Sequence, residues 1–294
     1  MEDLDSLIKN LDEALAWLGA VGIRSHTRFN EYRKTLVTVR EHRTAGTLPE
    51  LFRVVPLGHY RFAFIESAQL IVIAKTFERI PGSRFREKIR IAAAGPAHPF
   101  DEKKSGSKAR DFLFELSVAA YLRSRKLPVL MCSKKDLITR LPACTILIEC
   151  KRPQSGKKVG RAIKDATNQL KEHFKNYPSG IARYGFIALD ISVAMNPQRM
   201  FVVGDSVDAI SNTVDTLFIR LLKEFNSELT YRRDQRILGV LAFAKVLAYC
   251  ESQNCHISFQ KIQPCIHAPR GSYGSMLAEE LCNRFSPGVL PKPF

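Results

Sequence analysis

The chain predicts an α/β fold, a central mixed sheet covered by helices and preceded by a mainly helical N-terminal region. Three observations carry that expectation. From residue 108 onward the segments read in the order α-β-β-β-α-β. The segment Thr145–Lys151 is apolar on both faces over Ile146, Leu147 and Ile148, as a strand in the middle of a sheet must be. The first hundred residues instead repeat apolar side chains at helical spacing.

In that first region Leu4, Leu7, Ile8, Leu11, Leu15 and Leu18 recur three and four residues apart, so the chain opens on an amphipathic helix. A basic stretch follows, with Arg24, Arg28, Arg33, Lys34, Arg40 and Arg43 around Phe29, Tyr32 and Leu36. It predicts a second helix with a charged outer face. Residues 62–77 are apolar and fit a helix or a strand, while the alternation over Arg84–Ala94 predicts a strand. Gly95–Lys108 combines Pro, Gly, Ser and charge, the composition of an exposed connection. The domains expected are therefore 1–105, a helical region for recognition or oligomerisation, 106–270, which carries the chemistry, and 271–294, a helix and Pro-rich tail.

Within 106–270, Asp111–Arg123 predicts a helix. Val129–Cys132, Asp136–Thr139 and Thr145–Lys151 predict three short strands, and Arg161–Tyr177 an amphipathic helix with Ile163, Ala166, Leu170, Phe174 and Tyr177 on one stripe. Tyr184–Ser192 predicts another strand, Val207–Phe225 a helix, Ile237–Ala248 a buried strand or helix, and Ile257–Ile266 a strand.

The charge balance narrows the partners. With 45 Lys and Arg against 29 Asp and Glu the formal net charge is +16, a field that attracts polyanions, nucleic acid foremost. The longest apolar runs are too short to span a membrane, so no membrane association is expected. The first residues, MEDLDSLIKN, lack a signal-peptide core, and seven cysteines at irregular spacing read as reduced thiols; a cytoplasmic location is expected.

The sharpest chemical signal is TILIECKRP, residues 145–153. Period-two alternation puts Glu149 and Lys151 on one face of a central strand, where both charges are costly to desolvate unless something compensates them. Asp136 lies thirteen residues before Glu149, and a hairpin turning at Leu141–Cys144 brings the two together. Glu115 shares a helix face with Phe112, Ala119 and Leu122, a misfit unless its carboxylate reaches a cation. Carboxylate oxygens suit Mg2+ or Mn2+, and a lysine beside them can position water and stabilise charge on a phosphate.

Asp136 followed by Glu149-Cys150-Lys151, after a helix bearing Glu115, resembles the PD-(D/E)xK nuclease superfamily, whose restriction-endonuclease-like core has the αβββαβ order. The resemblance covers residues 108–192. It implies that Asp136 and Glu149 are metal ligands, Lys151 the catalytic lysine and Glu115 an auxiliary ligand. Lys135 stands where the pattern has proline. Of the Gln-x-x-x-Tyr element some members carry, Gln169 is present and position 173 is histidine, so Gln169 alone is carried over.

Arg152, Lys157, Lys158, Arg161 and Lys164 follow at once, on a loop and a helix start where backbone N–H groups already favour anions. With Gln169 they are the expected nucleic-acid contacts. Cys250, Cys255, His256, Cys265 and His267 leave a zinc site open, although C-x4-C-H followed by C-x-H is not a common structural-zinc spacing. No G-x-S-x-G, H-E-x-x-H or G-x-x-x-x-G-K-[ST] motif occurs. The expected function is divalent-metal-dependent hydrolysis of phosphodiester bonds, in DNA rather than RNA, in a defence, restriction or repair setting. The alternative is an inactive nuclease-fold module that binds nucleic acid. Cutting both strands of a duplex takes two such sites, which leaves a homodimer open.

Overall fold

A computed structural model of the chain describes residues 4–285 apart from 25, 48–50, 52–54, 80–81, 99–100, 102–107, 133–135, 142–143, 176–182, 196–201, 231–233 and 267–270. These residues form a mixed α/β fold in two compact units. The first comprises residues 1–120, 198–211 and 246–259, the second 121–197, 212–245 and 260–294.

Helices dominate the first unit: α1 (Leu4–Ala20), α2 (Thr27–Thr44), α3 (Leu57–Thr76) and α4 (Ser83–Ala94), with α5 (Ala109–Ser124) beginning in it. In α1, Leu4, Leu7, Ile8, Leu11 and Leu18 of the expected stripe are buried, while Leu15 is half-buried and Ala14 is buried instead. The segment 84–94, expected as a strand, is the helix α4. Its buried residues, Phe85, Lys88, Ile89, Ala92 and Ala93, follow the helical period, and the alternation of arginines covers the outer face.

Arg28, expected on a charged outer face, is fully buried. Its guanidinium is ion-paired with Glu66 of α3, which also takes Arg110 Nε at 2.7 Å and the Tyr32 hydroxyl at 2.6 Å. Arg28 donates further to the Ala92 carbonyl at 3.1 Å, and Arg110 to the Tyr32 hydroxyl at 2.8 Å. A buried carboxylate thus collects two guanidiniums, and burial together with that carboxylate raises the Tyr32 hydroxyl above its usual range.

In the second unit the order after α5 is β1 (Val129–Met131), β2 (Leu137–Leu141), β3 (Cys144–Lys151), α6 (Val159–Lys175) and β4 (Arg183–Asp190). The chain continues through α7 (Ser192–Met195), β5 (Val202–Gly204), α8 (Val207–Glu224) and α9 (Asn226–Thr230) to β6 (Ile237–Cys250), β7 (Cys255–Ile266) and α10 (Tyr273–Phe285). β1, β2 and β3 are antiparallel neighbours, whereas β3, β4 and β6 run parallel, so the sheet is mixed. β7 also pairs with β6, and in the first unit β5 lies parallel to the last residues of β6. The central strands are apolar: β6 is buried along nearly its whole length, which decides between strand and helix for that run.

One face of the sheet is covered by α6 and α8. Val159, Ile163, Ala166, Leu170 and Phe174 of α6 and Phe218, Leu221 and Leu222 of α8 pack with Leu147, Ile187, Leu189, Val240 and Ala242. α6 comes very close to β4, because a Cβ at Gly185 would meet Leu170 Cδ1 at 2.9 Å and the Phe174 ring at 3.1 Å. Among the described residues no helix is long and apolar enough to cross a membrane.

Replacing Glu66 by alanine leaves two buried guanidiniums uncompensated and should destabilise the first unit by about 3–5 kcal/mol in urea unfolding. Arg33→Ala, which removes a half-exposed pair with Asp12, should cost at most about 1 kcal/mol in the same measurement.

Candidate active site

The hairpin of β2 and β3 sets the site. Its register runs from Leu141↔Cys144 at the turn to Leu137↔Ile148 at the open end, so one further step sets Asp136 opposite Glu149. There β2 stops while β3 continues alongside β4, with Glu149↔Ile187, Cys150↔Ala188 and Lys151↔Leu189. Asp136 replaces the missing strand partner, its Oδ2 accepting the Cys150 backbone N–H at 2.6 Å. That bond holds the Asp136 carboxyl against the strand end.

Glu149 and Lys151 share the face of β3 that α6 covers, because their parallel neighbours Ile187 and Leu189 belong to the core beneath that helix. The side chain of Glu149 is 4% exposed and that of Lys151 22%, and Lys151 Nζ stands 3.6 Å from Glu149 Oε2. The second oxygen, Oε1, lies 3.1 Å from Nε2 of His173, which α6 supplies. Asp136, Glu149 and Lys151 are therefore brought together as the sequence led us to expect, with His173 as an addition.

The electrostatics show what the cluster lacks. Glu149 is pushed up to about 8, first by burial and then by the neighbouring Asp136 carboxylate, with Lys151 opposing. A buried carboxyl with a second carboxylate beside it binds either a proton or a cation. Among the described residues no group of three or more His, Cys, Asp and Glu side chains converges on a metal-sized site. Two carboxylates are nevertheless a normal protein contribution for Mg2+, which keeps several waters and takes further oxygens from substrate phosphate. The donor set fits a hard divalent cation.

Glu115 lies in the first unit, on α5, and its carboxylate is ion-paired with Lys88 of α4. That pairing accounts for a buried glutamate on an apolar helix face without any metal ion. Arg110, also on α5, is the second guanidinium partner of Glu66.

The expected phosphate contacts divide. Lys157 and Lys158, on a 3-10 turn, and Arg161, Lys164 and Gln169 of α6 are exposed; Arg152 is not part of that surface. Its side chain is 8% exposed, with Nε 3.8 Å from Asp190 Oδ2 at the end of β4. Asp190 also accepts the Ser192 N–H at 3.0 Å, consistent with a structural or supporting role. At the N-terminus of α6, Glu228 of α9 approaches so closely that a Cβ on Gly160 would meet its Cγ at 3.0 Å. An anion arriving at those backbone N–H groups shares the helix end with a carboxylate.

The cysteine and histidine group does not assemble among the described residues. Cys250, Cys255 and His256 lie in the first unit and Cys265 in the second, while His267 is outside the described residues. His256 sits between the rings of Tyr60 and Tyr249, at 5.1 Å from each, and burial lowers its imidazole to about 4. Burial pushes the Cys265 thiol up to about 12. His173 stands where the Gln-x-x-x-Tyr element has tyrosine and so was not among the expected site residues, although its place beside Phe174 and three residues after Leu170 sets it on the margin of the buried stripe of α6.

No protein-family model, curated protein or solved structure matches the chain, so its chemistry has to be argued from the site itself.

The raised Glu149 carboxyl has a consequence for stability. Between the ordinary value of 4.5 and about 8 the native state holds a proton that the unfolded chain has released, so stability falls as pH rises through that window. In EDTA, melting temperature should fall from pH 5 to pH 8 for the wild type, and this part of the dependence should vanish in Glu149→Gln.

Proposed function

We propose that the chain is a divalent-metal-dependent nuclease that hydrolyses phosphodiester bonds in DNA. The observation that carries the reading is the Asp136 carboxyl tied to β3 at the Cys150 N–H, next to the Glu149 carboxyl with the Lys151 ammonium 3.6 Å from it. Three further features support it. The α5-β1-β2-β3-α6-β4 order, with the aspartate just before β2 and Glu-x-Lys at the end of β3, is the arrangement of a restriction-endonuclease-like core. The net charge of +16 favours a polyanionic substrate. The exposed Lys157, Lys158, Arg161 and Lys164 follow β3 directly in the chain.

Asp136 and Glu149 would hold Mg2+ or Mn2+, with Glu149 giving up the proton that its raised carboxyl keeps near neutral pH. Once bound, such an ion polarises the scissile phosphate and lowers the pKa of a coordinated water. Lys151 carries its positive charge to the solvent side of the carboxyls, where it can hold the attacking water and offset charge on the phosphate oxygens. The water oxygen bonds to phosphorus as the ester P–O bond breaks, and the departing oxygen takes up a proton. Glu115, paired with Lys88, has no assigned part in this scheme. Cytoplasmic defence, restriction or repair is the setting this activity suits, and cutting of both strands would call for a homodimer.

A catalytically inactive nucleic-acid-binding module is the second reading, favoured by the lack of a three-ligand cluster among the described residues. Incubation of purified protein with supercoiled plasmid and Mg2+ or Mn2+ separates the two. The nuclease reading expects cleavage that EDTA abolishes and that Lys151→Ala and Glu149→Gln each reduce at least about 100-fold. Identical background cleavage in wild type and Lys151→Ala with every metal and substrate rejects it; salt-dependent binding without cleavage supports the second reading. Replacing Lys157, Lys158, Arg161 and Lys164 by alanine should lower the slope of log affinity against log salt by about 3–4, read by fluorescence anisotropy on duplex DNA.

A further inference from the structure

We infer that His173 is a positioning residue for the divalent cation: its hydrogen bond fixes the Glu149 carboxylate, and cation affinity depends on it. The inference rests on the metal-nuclease reading above and deepens it by adding a group from α6. His173 Nε2 lies 3.1 Å from Glu149 Oε1, and its side chain is 15% exposed, so water does not readily substitute for it. Lys151 approaches the other oxygen, at 3.6 Å from Oε2. Each oxygen of Glu149 therefore has its own neighbour from a different element.

An ionised carboxylate offers about four lone-pair positions over its two oxygens. One donor at Oε1 restricts the rotamer and still leaves lone pairs on both oxygens for a metal ion. Hydrogen-bond donors behind a ligating carboxylate orient it in this way, and their loss commonly weakens metal binding about 10–100-fold.

The backbone supports the placement. Leu170 and Phe174 bury against β4 at Gly185, which brings that part of α6 down onto the sheet. His173 immediately precedes Phe174, so the close approach at Gly185 sets the distance from imidazole to carboxylate. Asp136 is fixed by a backbone N–H and Glu149 by a side chain from the covering helix. Each of the two carboxyls is thus tied to the fold by a hydrogen bond of its own.

The test is Mn2+ binding to the full chain, followed by titration calorimetry and by the electron paramagnetic resonance signal of free Mn2+, without any substrate. Thermal melting reports on folding in parallel. His173→Phe keeps an aromatic ring but removes the donor; His173→Gln keeps an amide that can donate to the same oxygen. We expect His173→Phe to bind Mn2+ about 10–100-fold more weakly than wild type and His173→Gln to recover most of the loss. His173→Ala should match His173→Phe and decides the matter if the bulkier ring disturbs folding. DNA cleavage by the weakened variants should recover when Mn2+ is raised to saturation, because the defect lies in cation affinity. Equal Mn2+ affinity in wild type and His173→Ala overturns the inference and leaves the nuclease reading standing. A wild-type chain that binds no Mn2+ overturns both.

Discussion

Asp136 and Glu149 meet where a β-hairpin runs out. β2 ends one residue short of Glu149, β3 continues against β4, and the Asp136 carboxyl takes the backbone N–H left behind. The position of one side chain is thereby tied to main-chain geometry, and the second follows from the register. Water has little access to Glu149, whose side chain is 4% exposed, while Asp136 is half-buried. Burial and repulsion then make a bound proton or a bound cation the inexpensive states of Glu149. The mixed character of the sheet matters here. An antiparallel neighbour contributes Asp136, while a parallel neighbour lets β3 run on to Lys151 with its outer end still open.

Buried charge is handled differently in the first unit. Glu66 is enclosed by Arg28, Arg110 and the Tyr32 hydroxyl, and Glu115 by Lys88, so each buried carboxylate there has cations of the protein's own. Such closed groups are costly to assemble and costlier to break, and they leave little call for a foreign ion. Among the described residues, four of the chain's 45 basic residues, Arg28, Arg61, Lys88 and Arg110, are buried inside this unit. They do not contribute to the surface field as freely as the formal charge suggests. Around Glu149 the balance is reversed, with two carboxyls against one ammonium.

The legible parts of this fold were those in which spacing alone dictates geometry. The hairpin followed from two apolar runs around a turn at Leu141–Cys144, the shared face of Glu149 and Lys151 from alternation, and α6 from its apolar stripe. Patterns that depend on a distant partner were not legible. Arg28 and Arg110 look like solvated basic residues until Glu66, 38 and 44 residues away in sequence, is placed beside them. The helix α4 was misread because its arginines alternate with apolar residues over a short window, and only its buried set separates period two from period 3.6. Glu115 was recognised as a misfit, but the sequence could not say that Lys88 resolves it. His173 falls in the same class: its significance lies in a contact 24 residues back in the chain, created by the docking of α6.

The gradient of exposure along β3 has a chemical logic. Ile146, Leu147 and Ile148 are at most 1% exposed, the Glu149 side chain 4% and the Lys151 side chain 22%. A charge deeper in this strand would be neutralised by the surrounding apolar packing. Farther out, water would screen it and its effect on a phosphate would fall several-fold. The open ends of parallel strands are where α/β proteins commonly accept ligands, because side chains there are held by the sheet but can still be reached. Lys151 occupies such an end on β3, and Asp190 closes the corresponding end of β4 by engaging Arg152 and Ser192. One strand end is satisfied internally and the next keeps its carboxyls and ammonium in excess of what the fold requires. That imbalance, more than any single residue, is why the β3 end is the place to look for metal and phosphate.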